Sequence, residues 1–194
     1  MRTIYLASES PARKKLLKVF GLKFKVLPSR VKEEKRPKLS YAALVKRNAL
    51  LKAKDVAARV RKGIIVAADT IVVQDKKIFG KPRSLKEAGR LLKKLSRHPQ
   101  WLYTGIAVID KDRAKVKTGY EKTKIYMDVL SDKEIRDYFS HVSPLDKAGG
   151  FDIQGRGAFF IRRIEGCFYN VVGLPLRRLY RMFKELGINI EKND

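Results

Sequence analysis

Near its start the chain reads Leu6-Ala7-Ser8-Glu9-Ser10-Pro11-Ala12-Arg13-Lys14-Lys15-Leu16-Leu17. Residues 3–7 are predicted to form a short buried strand, and Ser10 followed by Pro11 is typical of a helix N-cap and first helical position. Three basic residues then fill the first turn, where unpaired N–H groups already make a helix end positive. This combination indicates a phosphate-binding helix N-terminus. An ordinary capped helix on a very basic protein is an equally open interpretation.

Composition indicates an intracellular globular protein. The 194 residues suit a single domain, 44% of them are hydrophobic and 34% are charged. The single cysteine, Cys167, excludes an internal disulfide and favours a reducing, cytoplasmic setting. The uncharged run at the N-terminus is too short for a signal peptide, and the longest apolar run, Ile64 to Ala68, is cut by Asp69. We therefore expect no membrane span.

The net charge of +25 raises a second class of function, because basic domains bind nucleic acids through phosphate contacts. The lysines and arginines are, however, scattered over nearly every predicted helix, without an arginine-rich block. We interpret the charge mainly as solvated surface that also attracts polyanionic small molecules. A non-enzymatic nucleic-acid-binding protein stays as an alternative.

The order of predicted elements favours an α/β fold with a mixed sheet. Residues 41–60 have helical periodicity, with Asn48 and Lys52 inside the apolar stripe, so Lys52 either has a partner or extends its ammonium to water. Residues 63–68 are apolar enough to be a central strand. Two long strands, 101–109 and 114–126, are predicted to form a hairpin, which a purely parallel sheet does not contain.

Asp69 is the strongest candidate for chemistry. It follows the central apolar run, so its carboxyl group is expected at the strand end, where sites in α/β sheets usually lie. A carboxylate there can accept a proton from water or hold Mg²⁺. Lys52 and Lys81 are expected to stabilise charge on a leaving pyrophosphate, and Glu33 is either a second metal ligand or a solvated loop residue.

Other chemistries have little support. His98 and His141 have no ligand partner at metal-binding spacing, Cys167 has no adjacent histidine, and no P-loop motif occurs. Glycines surround Gln154, so the backbone there can approach a ligand closely. A carboxamide presents a donor and an acceptor together, which suits the edge of a uracil or thymine ring.

Several segments, in order along nearly the whole chain, resemble the Maf family of nucleoside triphosphate pyrophosphatases. They are Leu6 to Pro11 with Arg13, Lys52-Ala53, Ala68-Asp69-Thr70, Gly80-Lys81-Pro82, Thr104-Gly105, Asp146-Lys147-Ala148-Gly149-Gly150, Ile153-Gln154-Gly155, Ile164-Glu165-Gly166 and Asn170 to Pro175. The resemblance implies one Maf-like domain over residues 1–194, with an elongated mixed β-sheet flanked by helices and two lobes with a cleft between them. It also implies a cytoplasmic homodimer.

The implied reaction is hydrolysis of a nucleoside triphosphate to the monophosphate and pyrophosphate with a divalent cation, Mg²⁺, Mn²⁺ or Co²⁺. By resemblance, Asp69 is the catalytic proton acceptor, and Glu33 with Asp69 would bind the metal. The implied substrate-binding residues are Ser8, Ser10, Arg13, Lys52, Thr70, Lys81, Asp146, Lys147 and Gln154.

The Ile153-Gln154-Gly155 segment resembles the branch that acts on dTTP and UTP, including modified pyrimidines. The sister branch prefers 7-methyl-GTP, and the same reaction on that or another non-standard nucleotide is the alternative. Two positions depart from the family pattern: Ala12 replaces the first of two paired arginines, and Lys32 stands where an aspartate is common.

Overall fold

The structure is a computed structural model that describes residues 2–34 and 39–190. Its strands are β1 (Ile4–Leu6), β2 (Phe24–Val26), β3 (Ile64–Gln74), β4 (Lys77–Phe79), β5 (Gln100–Asp110), β6 (Lys115–Met127) and β7 (Ile161–Glu165). Its helices are α1 (Pro11–Lys18), α2 (Tyr41–Ala58), α3 (Leu85–Leu95), α4 (Asp132–Phe139), α5 (Phe168–Val172) and α6 (Leu176–Glu185). Two 3₁₀ turns span Ala148–Gly150 and Gly155–Phe159.

The strands form a mixed sheet, which confirms the predicted fold class. Their order is β2-β1-β3-β5-β6-β7, and β4 pairs with β3. β1 is parallel to both β2 and β3, whereas the β3–β4 and β6–β7 pairs are antiparallel. β5 and β6 are neighbours joined by the short turn after Asp110, as the hairpin prediction required.

The prediction that the central strand ends at Ala68 is wrong. β3 continues to Gln74, so Asp69 is the sixth of eleven residues and lies in the middle of a buried strand. A carboxylate is tolerated at this depth because Lys52 and Asn48 both donate hydrogen bonds to it. Asp69 therefore projects from the body of the sheet and not from a strand end.

The chain divides into two compact units. The first contains the described residues within 1–69, 104–121 and 173–194. In it, α2 packs on β1, β3 and β5 through small and β-branched side chains, among them Ala49, Ala53 and Ala107. Gly105 allows a particularly close approach, because a Cβ there would lie 2.1 Å from the carbonyl oxygen of Val45. This packing places one face of α2 directly over β3.

The second unit contains residues 70–103 and 122–172. Its core joins α3 and α4 to the sheet through large side chains such as Leu92, Ile125 and Phe160. The backbone N–H of Gly149 donates to the carbonyl of Gly80 at 3.0 Å, so the segment before Lys81 lies beside the glycine-rich turn. Gly149 has a φ of +76°, which favours glycine at this contact.

The single-domain organisation over 1–194 and the cleft between lobes stay predictions. Within residues 2–34 and 39–190, every helix is too short or too polar to cross a bilayer.

Candidate active site

The N-terminus of α1 is formed as the sequence predicts. Ser10 caps the helix, because its side chain accepts a hydrogen bond from the backbone N–H of Arg13 at 3.4 Å. The backbone N–H of Ser10 in turn donates to Ser8 Oγ at 3.3 Å. The first turn carries no acidic residue. The helix therefore places the positive end of its dipole and its basic side chains at the end of β1.

The Arg13 side chain is held in place by two oxygen atoms. Its Nε donates to the carbonyl oxygen of Gly173 at 2.9 Å, and its Nη1 donates to Ser8 Oγ at 3.3 Å. Burial lowers the pKa of Arg13, while the negative charges of Asp69 and Glu33 oppose this shift. The cationic turn and the acid of β3 consequently lie in one electrostatic environment within the first unit.

A carboxylate–lysine cluster, consisting of Glu33, Lys52 and Asp69, forms the centre of this region. Lys52 Nζ lies 2.7 Å from Asp69 Oδ1 and 2.5 Å from Glu33 Oε1. The Asp69 side chain is 3% exposed and that of Lys52 is 11% exposed, whereas half of the Glu33 side chain is accessible. Lys52 therefore has carboxylate partners, and its ammonium does not simply extend into water.

The charges of the cluster stabilise one another. Partial burial raises the pKa of Glu33, but the charge and hydrogen bond of Lys52 outweigh it, so the pKa lies below its ordinary value. Arg13 contributes in the same direction. Glu33 is thus an ionised carboxylate, which favours binding of a cation and not donation of a proton.

Asn48 is a member of this site to which the sequence assigned no role. It lies one helical turn before Lys52 on the same face of α2 and is 2% exposed. Its Nδ2 donates to Asp69 Oδ2 at 3.0 Å. The signal in the sequence was its position in an apolar stripe, which indicates burial and a hydrogen-bond partner but no particular role.

The other predicted residues belong to the second unit. Thr70 follows Asp69 in β3, and Lys81 and Gln154 have exposed side chains. Lys147 Nζ donates to Asp146 Oδ1 at 2.6 Å, so these two form an ion pair beside the glycine-rich turn. The structure thus brings together Ser8, Ser10 and Arg13 at one end of α1, and Glu33, Lys52 and Asp69 in the cluster.

The donor set fits a hard divalent cation. Glu33 and Asp69 converge on the same ammonium, so oxygen atoms of both lie around one point. Mg²⁺ usually takes one or two protein carboxylates and completes its shell with substrate phosphates and water. In the described part of the chain, no three His, Cys, Asp or Glu side chains converge as a metal site. The two carboxylates fit such an ion when phosphate oxygens supply further ligands.

This arrangement combines the parts that phosphate chemistry needs. A helix N-terminus with Arg13 can bind phosphate oxygens, Lys52 can neutralise developing charge, and Asp69 can accept a proton. Asp69 is also shielded from bulk water. Electrostatic interactions with its carboxylate are therefore stronger than they would be at an exposed site.

Comparison with known proteins finds a family model and relatives that match nearly the whole chain. A family model described as "Maf-like protein" matches residues 3–186. The dTTP/UTP pyrophosphatase of Carboxydothermus hydrogenoformans is 44% identical over 184 residues, covering 95% of this chain and 98% of that protein. The dTTP/UTP pyrophosphatase of Caldicellulosiruptor bescii is 41% identical over 198 residues and 100% of both chains. Among solved structures, the Ham1 protein of Staphylococcus aureus has a TM-score of 0.46 and 17% identity, covering 65% of this chain and 72% of that chain.

Proposed function

The chain belongs to the Maf-like protein family, and from that premise we propose that it hydrolyses dTTP and UTP to the nucleoside monophosphate and pyrophosphate. Two relatives named dTTP/UTP pyrophosphatase, at 44% and 41% identity, support the reaction and the pyrimidine preference. The observation that carries the proposal is the buried contact of 2.7 Å between Lys52 Nζ and Asp69 Oδ1 beside the basic N-terminus of α1.

The triphosphate binds at the N-terminus of α1. The positive end of the helix dipole attracts the phosphates, and the hydroxyl groups of Ser8 and Ser10 donate to phosphate oxygens. Arg13 is suited to the same task, because Gly173 and Ser8 fix the orientation of its guanidinium before substrate arrives. A preformed donor loses less conformational entropy on binding than a free surface arginine does.

Asp69 accepts a proton from water, and the water oxygen attacks the α phosphorus. The bond between the α phosphorus and the bridging oxygen breaks, and its electron pair leaves with pyrophosphate. Lys52 stabilises the negative charge that develops on this leaving group. Because phosphoryl transfer depends mainly on positioning and charge stabilisation, a fixed Asp69–Lys52 pair is well suited to it.

Glu33 and Asp69 would hold a divalent cation, because their carboxylates both lie within hydrogen-bond distance of Lys52 and so are close to each other. When bound, Mg²⁺, Mn²⁺ or Co²⁺ supplies Lewis-acid polarisation of phosphate oxygens.

Residues of the second unit take their proposed roles from the family resemblance. Lys81 binds the leaving pyrophosphate, and Asp146 and Lys147 contact substrate. Thr70 and Gln154 govern the choice of base. The exposed carboxamide of Gln154 carries both the donor and the acceptor that a pyrimidine edge requires.

We also propose that the protein acts in the cytoplasm as a homodimer. The free Cys167 and the family resemblance support these assignments. Light scattering coupled to gel filtration measures the mass in solution, and a value near 22.3 kDa would contradict the dimer.

The reaction is tested with a panel of nucleoside triphosphates in the presence of Mg²⁺ or Mn²⁺. We expect dTTP and UTP to be hydrolysed fastest, with pyrophosphate as the product. Faster hydrolysis of 7-methyl-GTP or another purine would contradict the pyrimidine preference, and release of inorganic phosphate would contradict the site of cleavage. Tight, salt-dependent RNA or DNA binding without any hydrolysis would support the nucleic-acid alternative.

Isotope placement tests the step itself. In ¹⁸O-labelled water, attack at the α phosphorus puts the label into the monophosphate and not into pyrophosphate. Asp69→Asn should lower kcat by about 100-fold or more while circular dichroism shows a retained fold. Asp132→Asn is the control, because Asp132 lies on α4 and its exposed carboxylate pairs with Lys93 of α3. Wild-type turnover by Asp69→Asn would remove Asp69 from its proposed role.

A further inference from the structure

Asn48 joins three parts of the first unit through one buried carboxamide. Its Oδ1 accepts a hydrogen bond from the backbone N–H of Glu34 at 3.1 Å, and its Nδ2 donates to the carbonyl oxygen of Glu34 at 3.1 Å. The same Nδ2 donates to Asp69 Oδ2 at 3.0 Å. Both hydrogens of the amide are therefore used, and the side chain connects α2, the segment before residue 35 and β3.

The two bonds to Glu34 fix the backbone next to Glu33. A carboxamide that pairs with both the N–H and the C=O of one residue restrains that residue as a neighbouring strand would. Glu33 then contacts Lys52 at 2.5 Å, and Lys52 lies one turn after Asn48 on α2. An exposed ion pair at 3.0 Å between Arg47 and Glu34 supports the same segment from the surface.

The third bond fixes the plane of the Asp69 carboxylate. Oδ1 accepts from Lys52 and Oδ2 accepts from Asn48, so rotation of the carboxyl group breaks one bond or the other. Each oxygen keeps a further lone pair for water or a cation. Because a misplacement of about 1 Å can cost 100-fold in rate, the orientation of this carboxylate has kinetic consequences.

We propose that Asn48 is a positioning residue for the hydrolysis: it aligns Asp69 and the Glu33 segment with Lys52 without contacting the substrate. The inference rests on the proposed function and deepens it. If the only role of Asn48 were structural, an apolar substitution would lower the stability of the protein and leave kcat unchanged. A positioning residue also lowers kcat in the folded protein.

The test compares Asn48→Ala with a matched control. We expect Asn48→Ala to lower kcat for pyrophosphate release from dTTP by about 100-fold with KM unchanged. Gln74→Ala is the control, because Gln74 also uses a buried carboxamide, donating to the carbonyls of Leu95 at 3.1 Å and His98 at 2.7 Å. It should lower the melting temperature and keep kcat. An equal loss of kcat in both variants would overturn the inference.

Two further measurements separate positioning from folding. In the metal-free protein, the amide of Glu34 should exchange with solvent faster in Asn48→Ala than in wild type, because it loses its acceptor. The effect of Asn48→Ala on kcat should also be smaller in a Glu33→Gln background than in wild type. Unchanged exchange, or fully additive effects, would contradict the inference.

The outcome for the wild-type enzyme keeps the two proposals apart. Absence of triphosphate hydrolysis by wild type would overturn the proposed function. An active wild type together with a fully active Asn48→Ala would overturn only the role of Asn48.

Discussion

Lys52 donates to the buried carboxylate of Asp69 at 2.7 Å, although the two residues belong to different elements, α2 and β3. Both side chains lie mostly out of contact with water. Opposite charges in such a setting depend on each other, because removal of one leaves the other desolvated and uncompensated. The pair therefore links the stability of the first unit to its proposed chemistry.

Lys52→Met should abolish most activity and lower the free energy of unfolding by about 3 kcal/mol, since Asp69 is left without its ammonium. The double variant Lys52→Met, Asp69→Asn removes both charges and should be more stable than the single Lys52→Met variant. Urea denaturation measures both. Lys93→Met is the control, because its partner Asp132 is exposed and such pairs contribute at most about 1 kcal/mol. A double variant that is less stable than Lys52→Met would contradict this account.

Arg13→Ala should lower kcat/KM for dTTP by roughly 10- to 100-fold, which corresponds to the loss of a charge-assisted hydrogen bond to phosphate. The matched variant is Lys15→Ala, which removes an exposed cation from the same helix. Lys15→Ala should keep kcat/KM close to wild type at 0.15 M salt, where exposed charges are screened. Equal effects of both substitutions would indicate that general charge, and not the position of Arg13, attracts the substrate.

Two glycines should respond oppositely to substitution by alanine. Gly105→Ala places a Cβ 2.1 Å from the carbonyl oxygen of Val45, so α2 must move and stability should fall by about 3 kcal/mol. Activity should fall as well, because α2 carries Lys52. In Gly89→Ala the new Cβ lies 3.8 Å from Ile135, which is an ordinary contact. Because alanine favours the helix more than glycine does, the free energy of unfolding should rise by about 0.5–1 kcal/mol. Thermal melts of both variants check the sign of each effect.

Asp152 should make stability fall as pH rises. Burial raises the pKa of Asp152, and the charge of Lys147 offsets this only in part. The charged form of Asp152 is thus disfavoured in the folded state. The resulting loss of stability is absent below the pKa of Asp152 in the unfolded chain and is fully present above its pKa in the folded protein. Asp152→Asn should melt above wild type at pH 7, and the difference should shrink as pH falls through the folded pKa. A difference that is constant across this range would contradict the assignment.

The N-terminal stretch was predictable because its signals are local. Ser10 caps α1 through the N–H of Arg13, three residues along the chain, and sequence patterns report such spacing directly. The mixed sheet followed from the hairpin and from the alternation of elements. The length of β3 could not be predicted in the same way, because a charged residue within an apolar run normally marks the end of a strand.

By itself the sequence determined the family, the capped and cationic start of α1, and the identities of Asp69, Lys52 and Glu33 as candidates. Only the tertiary structure decided that Asp69 lies within β3, that Lys52 contacts two carboxylates, and that Asn48 connects Glu34 to Asp69. The physical reason is the distance along the chain between the residues that interact. Caps and periodicity depend on residues a few positions apart, whereas the buried charge of Asp69 is tolerated only because packing brings it partners from 17 and 21 residues away.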